Sequence, residues 1–337
     1  MPVATSLIRL AAIQAAPVLF DRSASTQKAC DLIREAGRGG AQLAAFGETW
    51  LPGYPFWVEG GVVDLTWEAS AAYLDEAVVL GGPETDALCA AAREAGCDVV
   101  IGVAEKDPDS LGSAYCTALL IGAEGRILGR HRKLKPTHAE RIIWADGDGA
   151  GLVAHQRPYA RISALNCWEH QMMLPGYALA AQGTQVHCAL WPGWEKTPRP
   201  EEYCWARQLV LSRAFSSQAA AYVICAAGIR RNADIPDRWK PLGEWEHTGQ
   251  SAIIDPRGEV IAGPLDGEGI LYAEASLNVI RAAKAACDIA GHYSRPDVFT
   301  LEVDRRPREA RARFIDAVEG DVDVEESSTP STAPRAR

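Results

Sequence analysis

The sequence has no apolar run approaching the roughly 18 residues that a membrane span needs. Its opening, MPVATSLIRLAAIQAAPVLF, lacks the basic, apolar and small-residue succession of a secretory signal. Both absences place the chain in the cytoplasm. It has no basic stripe, and its formal net charge is −10, so nucleic acid and anionic membrane surfaces are excluded as main partners. The nine cysteines are scattered and odd in number, and none are paired at two-residue spacing, which removes both a zinc ribbon and a disulfide framework. No phosphate-binding loop or metal-ligand spacing occurs. The glycines of DGDGAG (146–151) do not stand between a strand and a helix as a dinucleotide fingerprint requires. No cofactor is therefore expected. With no internal repeat and no dividing linker, 1–318 reads as one domain, and the core-poor EGDVDVEESSTPSTAPRAR (319–337) as a disordered tail.

What is present is a soluble composition, 47% hydrophobic and 23% charged over 337 residues, enough for a sizeable core. IRLAAIQAAPV (8–18) reads as a buried strand, followed by a helix in which Ala29, Leu32, Ile33 and Ala36 recur at helical spacing. AQLAAFGE (41–48) is the next strand, and the rhythm returns with a helix over 84–96 and the strand DVVIGVAE (98–105). YCTALLIG and RILGRHRKL flank AEG as a hairpin, Gly125 supplying the positive φ. Strands over 160–167, 185–192 and 220–227 alternate with helices near 172–182 and 201–219. SAIIDPRGEVIAG makes a second hairpin, and GILYAEAS and NVIRAAKAACDIA close the regular part as strand and helix. Alternating strands and helices with two added hairpins give an α/β protein with mixed sheets, each covered by helices on one face. Two such sheets stacked face to face would make four layers, αββα.

Chemistry gathers at three points. Cys167 ends the strand ARISALNC (160–167), immediately before a turn and a short helix, where α/β folds expose reactive groups and backbone N–H groups can lower a thiol pKa. The competing reading is a buried structural cysteine. His170 is too close in the same turn to serve as its base, and His187 inside an apolar strand reads as a satisfied core residue. Glu48 is a better base: it ends a buried strand before the aromatic loop TWLPGYPFW, and partial desolvation would raise its pKa usefully. Lys133 lies in HRKLKPTHAER, where strand alternation sets His131, Lys133 and Lys135 on one side and Arg132 and Leu134 on the other. Glu140 alone looks like an ordinary surface carboxylate.

Together, FGETWLPGYP, HRKLKPTHAER and NCWEH resemble the nitrilase branch of the carbon-nitrogen hydrolase superfamily, and GHYSRPDVF (291–299) matches a further nitrilase segment. The resemblance spans about residues 8 to 300. It implies Glu48 as general base, Lys133 as the cation over the reacting centre, Cys167 as nucleophile, and Glu140 as a second glutamate supporting the lysine. The Trp168 amide would help hold the charged intermediate. The implied fold is the four-layer sandwich, pairing across its helices into homodimers and longer helical homo-oligomers. Where the family usually has proline before the glutamate, this chain has Gly47, expected to loosen the backbone that aims Glu48.

The implied reaction hydrolyses a small organic nitrile to carboxylic acid and ammonia through a thioimidate and an acyl-enzyme. Tyr54, Trp57, Trp168, Trp191 and His138 are the candidate substrate contacts, and the crowding of aromatics suits an aryl or arylacetonitrile. An amidase or carbamoylase of the same superfamily, or a nitrile hydration that stops at the amide, would use the same residues. A catalytically silent scaffold would need none of them.

Overall fold

A computed structural model describes residues 7–59, 63–196, 207–243 and 246–308. The expected tail 319–337 and residues 201–206 of the expected helix lie outside them. Residues up to Arg306 form one compact unit, described below.

The first half of the chain runs β1 (Ile8–Gln14), α1 (Arg22–Arg38), β2 (Leu43–Ala45), α2 (Val63–Asp75), α3 (Pro83–Ala95), β3 (Asp98–Lys106), β4 (Ala114–Gly122) and β5 (Arg126–Arg132). There follow β6 (His155–Gln156), β7 (Arg161–Asn166), α4 (Met173–Ala181), β8 (Val186–Trp191), β9 (Glu195–Lys196), α5 (Arg207–Ala219) and β10 (Tyr222–Ala227). The last elements are β11 (Ile229–Arg230), β12 (Glu246–Thr248), β13 (Ala252–Ile254), β14 (Val260–Ala262), β15 (Gly269–Ala275) and α6 (Leu277–Ala286).

Two six-stranded sheets have the orders β15-β1-β2-β3-β4-β5 and β14-β13-β10-β8-β7-β6. Each has a parallel centre, whose crossovers demand helices, and antiparallel strands outside it: β15 beside β1 and the hairpin β4–β5 beside β3 in the first, the hairpin β13–β14 beside β10 and β6 beside β7 in the second. Period-two alternation assigns the faces. In β1, Leu10 and Ala12 join Ile162, Val186, Leu190 and Ile224 in a layer between the two sheets. Ala11 and Ile13 of the same strand pack instead against Ala29, Ile33 and Ala36 of α1 and Leu88, Ala91 and Ala92 of α3. On the far side, Ala189, Val223 and Cys225 meet Ala180, Phe215 and Ala219 of α4 and α5. The result is the αββα sandwich of two mixed sheets that the pattern implied.

An ionic clasp ties the sheets together. Arg157, between β6 and β7, donates to Asp98 at the start of β3 at 2.7 and 2.8 Å, and Tyr159 donates to the same carboxylate at 2.6 Å.

Candidate active site

Glu48 sits where a strand fails to continue. The expected strand over 41–48 is regular only over Leu43–Ala45. Beyond it the chain lifts off β3 and returns at Leu51, whose N–H donates to Gly102 O and whose carbonyl accepts from Ala104 N. The lift passes directly over Gly102, where a Cβ would collide with Gly47 O and Thr49 N. Gly47 is equally confined: a Cβ there would lie 2.5 Å from Gly228 N and 2.7 Å from Trp191 O. The Glu48 N–H donates to Trp191 O at 3.0 Å. Gly47 therefore does not loosen the segment, as the sequence suggested; it lets the Glu48 loop press against the ends of β8 and β10.

Lys133 follows the last residue of β5, and its N–H donates to Cys116 O at 2.7 Å. With the ladder ended at Arg132, alternation does not carry through: His131 and Lys133 are buried, whereas Lys135 turns outward to Asp146. The Lys133 ammonium donates to Glu48 Oε1 at 2.8 Å and to Glu140 Oε2 at 2.6 Å. Glu140 is no surface carboxylate. It is buried in the 3-10 turn His138–Ile142, accepting also from Thr137 N at 2.7 Å and the Tyr54 hydroxyl at 2.9 Å.

Cys167 opens the 3-10 turn Cys167–Gln171 at the carboxyl end of β7, with φ +49°. Among the described residues, six that are not glycine have φ in the left-handed region, and Thr49, His138 and Cys167 fall in the three loops that carry Glu48, Glu140 and Cys167. Such strain persists where surrounding structure over-determines it and tends to gather at functional sites. One bond from each of Glu48, Glu140 and Cys167 could reach a common point, since their ligand atoms lie within 4.8 Å of one another. The Lys133 ammonium already occupies the place of a cation between the carboxylates.

Sequence reading missed Glu169. This buried carboxylate accepts from Asn166 N at 2.8 Å, Leu134 N at 2.8 Å and His131 Nε2 at 2.9 Å. It thereby braces the Lys133 segment to the Cys167 turn. Burial works to raise its pKa, but His131 and the two amides outweigh it and hold the carboxyl below its ordinary value. His170 points away from the thiol, as expected: Nδ1 meets Cys167 O at 2.7 Å and Nε2 meets His187 Nε2 at 3.0 Å. His187 is satisfied in turn by Ser163 at 2.8 Å.

The charges define a resting state. Burial pushes Glu48 up to about 7, with Lys133 opposing and Glu140 adding to the rise. Burial also pushes the Cys167 thiol well above its ordinary value, with Glu48 reinforcing it and Lys133 and the Trp168 amide acting the other way. Burial works against the charge of Lys133, yet Glu140 and Glu48 hold the ammonium well above its usual range. A neutral thiol thus shares its cluster with Glu48, whose Oε1 is taken by Lys133 and by Cys116 Sγ at 3.3 Å. Its buried Oε2 has no hydrogen-bond partner among the described residues. That oxygen is available to receive a proton.

The candidate substrate contacts lie at different depths. Tyr54 touches Glu140, and the Trp168 backbone adjoins the thiol. The Trp57 indole donates to Ser70 at 3.0 Å within an aromatic core with Phe56 and Tyr73. The Trp191 indole donates to Ser212 and stacks on His170 behind the second sheet, meeting the Glu48 loop through its carbonyl. His138 is exposed.

The arrangement of a thiol, two carboxylates and an ammonium on an αββα sandwich agrees with comparison. The carbon-nitrogen hydrolase family model matches residues 9–285, and the chain belongs to that family. It is 53% identical over 318 residues, 94% of this chain and 97% of the relative, to "Nitrilase 2" from an unknown prokaryotic organism. It is 37% identical over 313 residues, 90% of this chain and 84% of the relative, to an aliphatic nitrilase from Rhodococcus rhodochrous. Its fold is that of Saccharomyces cerevisiae Nit3, a member of branch 10 of the nitrilase superfamily: TM-score 0.66, 18% identity, covering 85% of this chain and 96% of the other.

Proposed function

We propose that this chain is a nitrilase, converting an organic nitrile to the carboxylic acid and ammonia. One observation carries the reading: Glu48, whose Oε1 is held by Lys133 and whose Oε2 has no partner among the described residues, belongs to the same buried cluster as the Cys167 sulfur. As Cys167 Sγ bonds to the nitrile carbon, Glu48 takes the thiol proton and passes it to the nitrile nitrogen, leaving a neutral thioimidate. Glu48 then draws a proton from a water that adds to the same carbon. Returning that proton to nitrogen gives a tetrahedral adduct bearing OH and NH2. Glu48 next moves the hydroxyl proton to the amine, which leaves as ammonia as the C=O forms, giving a thioester. A second water, activated in the same way, breaks the carbon–sulfur bond, giving the acid and the free thiol. The Lys133 ammonium and Trp168 N–H balance charge developing on nitrogen and oxygen. Glu140, anchored by Thr137 and Tyr54, positions Lys133.

Relatives named nitrilase, one at 53% identity, favour nitriles over amides. Matched nitrile and amide pairs, scored for ammonia and acid, test this. Acid from nitriles in preference to amides is expected; turnover of amides alone would make the chain an amidase, and an amide product would make it a hydratase.

The chain works in the cytoplasm as a homo-oligomer in this reading. Its eight described cysteines are all free, as suits a reducing compartment. Met173 and Leu174 of α4 and Val210 of α5 expose a helical apolar surface suited to self-association.

A further inference from the structure

The parallel strands β7, β8 and β10 end at one edge of the second sheet, and Cys167 immediately follows β7 there. Such an edge is where α/β sheets bind ligands. Arg230 emerges at the same edge, just past β10, and is only 3% exposed. In the antiparallel pair β11–β12 it stands opposite His247, so both side chains share a face. The His247 ring meets Tyr54 edge-on, centroids 5.3 Å apart, and the Tyr54 hydroxyl reaches Glu140. One side chain therefore separates the Arg230–His247 pair from the reacting cluster.

A buried cation normally has a counter-ion. Lys133 has two and Arg157 has two. Among the described residues Arg230 has no salt bridge: Nη1 donates to Asn232 Oδ1 at 3.1 Å, the guanidinium lies 4.9 Å over the Phe56 ring, and buried Nε has no partner there. His247 Nδ1 is likewise buried and without a partner among the described residues. Glu246, whose charge acts on Arg230, accepts from Asn232 N at 3.0 Å and lies 3.8 Å from Lys196. Burial lowers the Arg230 pKa to about 10, with Glu246 and Tyr54 opposing, so it remains charged at neutral pH.

We infer that Arg230, with His247 beside it, is the subsite for a carboxylate on the substrate's tail, and that the preferred substrate class is an aliphatic cyano-carboxylate. The guanidinium fork matches a carboxylate bidentately, and Nε and His247 Nδ1 are the groups such an anion would satisfy. This rests on the nitrilase reading.

The test compares 4-cyanobutanoate with its neutral isostere 5-methylhexanenitrile on the full chain, and adds glutarate, the expected product, in thermal melts. The wild type favours the anionic nitrile in kcat/KM, and in Arg230→Met that ratio falls by about tenfold or more. Arg230→Lys, which keeps the charge, retains part of the preference. Glutarate raises the Tm of the wild type and not of Arg230→Met, whose own Tm is not lowered because it loses an unpaired buried charge. An unchanged ratio in Arg230→Met, or an equal glutarate shift in both proteins, overturns the inference. If neither nitrile is hydrolysed, the nitrilase reading fails, and the glutarate melts still decide the subsite.

Discussion

Glu169 accepts a hydrogen bond from the backbone N–H of Leu134 at 2.8 Å, across 35 positions of sequence. The same carboxylate holds Asn166 N, so the residue after Lys133 and the residue before Cys167 hang on one side chain. Glu169→Gln keeps a similar shape but removes the charge paired with His131 and leaves one oxygen for several donors. A displaced nucleophile costs about 10²-fold in kcat, and an unmet buried donor about 1–3 kcal/mol of stability. Steady-state kinetics and a thermal melt check both; kcat should fall much more than KM rises.

The pH profile reports Glu48. In the proposed mechanism Glu48 is the base, and, pushed up to about 7 by burial, it must lose its proton before catalysis, so kcat/KM climbs with pH through an acid limb near 7. Glu140→Gln removes a negative charge that raises Glu48, and its limb should move to lower pH, alongside a fall in rate from the altered seat of Lys133. The stability sign is the reverse of the usual carboxylate. Folded Glu48 keeps its proton above the ordinary value, so its contribution to stability is fully present below pH 4.5 and is lost as pH rises toward 7. The acid limb of the wild type and the Glu140→Gln variant, measured side by side, gives the direction.

Gly47→Ala tests the confinement of the Glu48 loop. A Cβ 2.5 Å from Gly228 N and 2.7 Å from Trp191 O must push backbone apart. Overpacking of this kind costs about 1–3 kcal/mol, and here it displaces the base as well. Both Tm and kcat should fall. A glycine that merely loosened the loop would show the opposite in at least one of them.

The layers and their strands were legible because alternation within β1, splitting Leu10 and Ala12 from Ala11 and Ile13, writes two buried faces into the sequence. Glu48, Lys133 and Cys167, the residues proposed to react, were marked by motifs in chain order, and the fold brings them together. Three things were not legible. The Glu48 strand stops early because Gly102 lets another backbone cross it, a contact with no local signature. Glu169 looks like an exposed carboxylate until the fold supplies its donors, whereas Glu140, equally plain by itself, was marked only by the resemblance. Aromatics after Glu48 suggested a pocket, yet Trp50 donates to Ala15 O and Trp57 to Ser70 within the core, a distinction that composition cannot make.

Asp98→Asn separates scaffold from chemistry. Breaking the clasp leaves Arg157 partly unpaired in a buried setting, at a cost of about 3–5 kcal/mol. The melt should shift down strongly while kcat per folded molecule stays near that of the wild type, since the clasp holds the first residue of β3 and the Glu48 loop returns further along the strand, at Gly102 and Ala104.

The most direct measurement is a rapid quench of the enzyme with a nitrile, followed by peptide mass mapping. A transient adduct on Cys167, appearing before ammonia and decaying with it, is the expected result, and Cys167→Ala should form neither adduct nor acid. Acid formation that persists in Cys167→Ala, or an adduct on Cys116 in its place, would contradict the account.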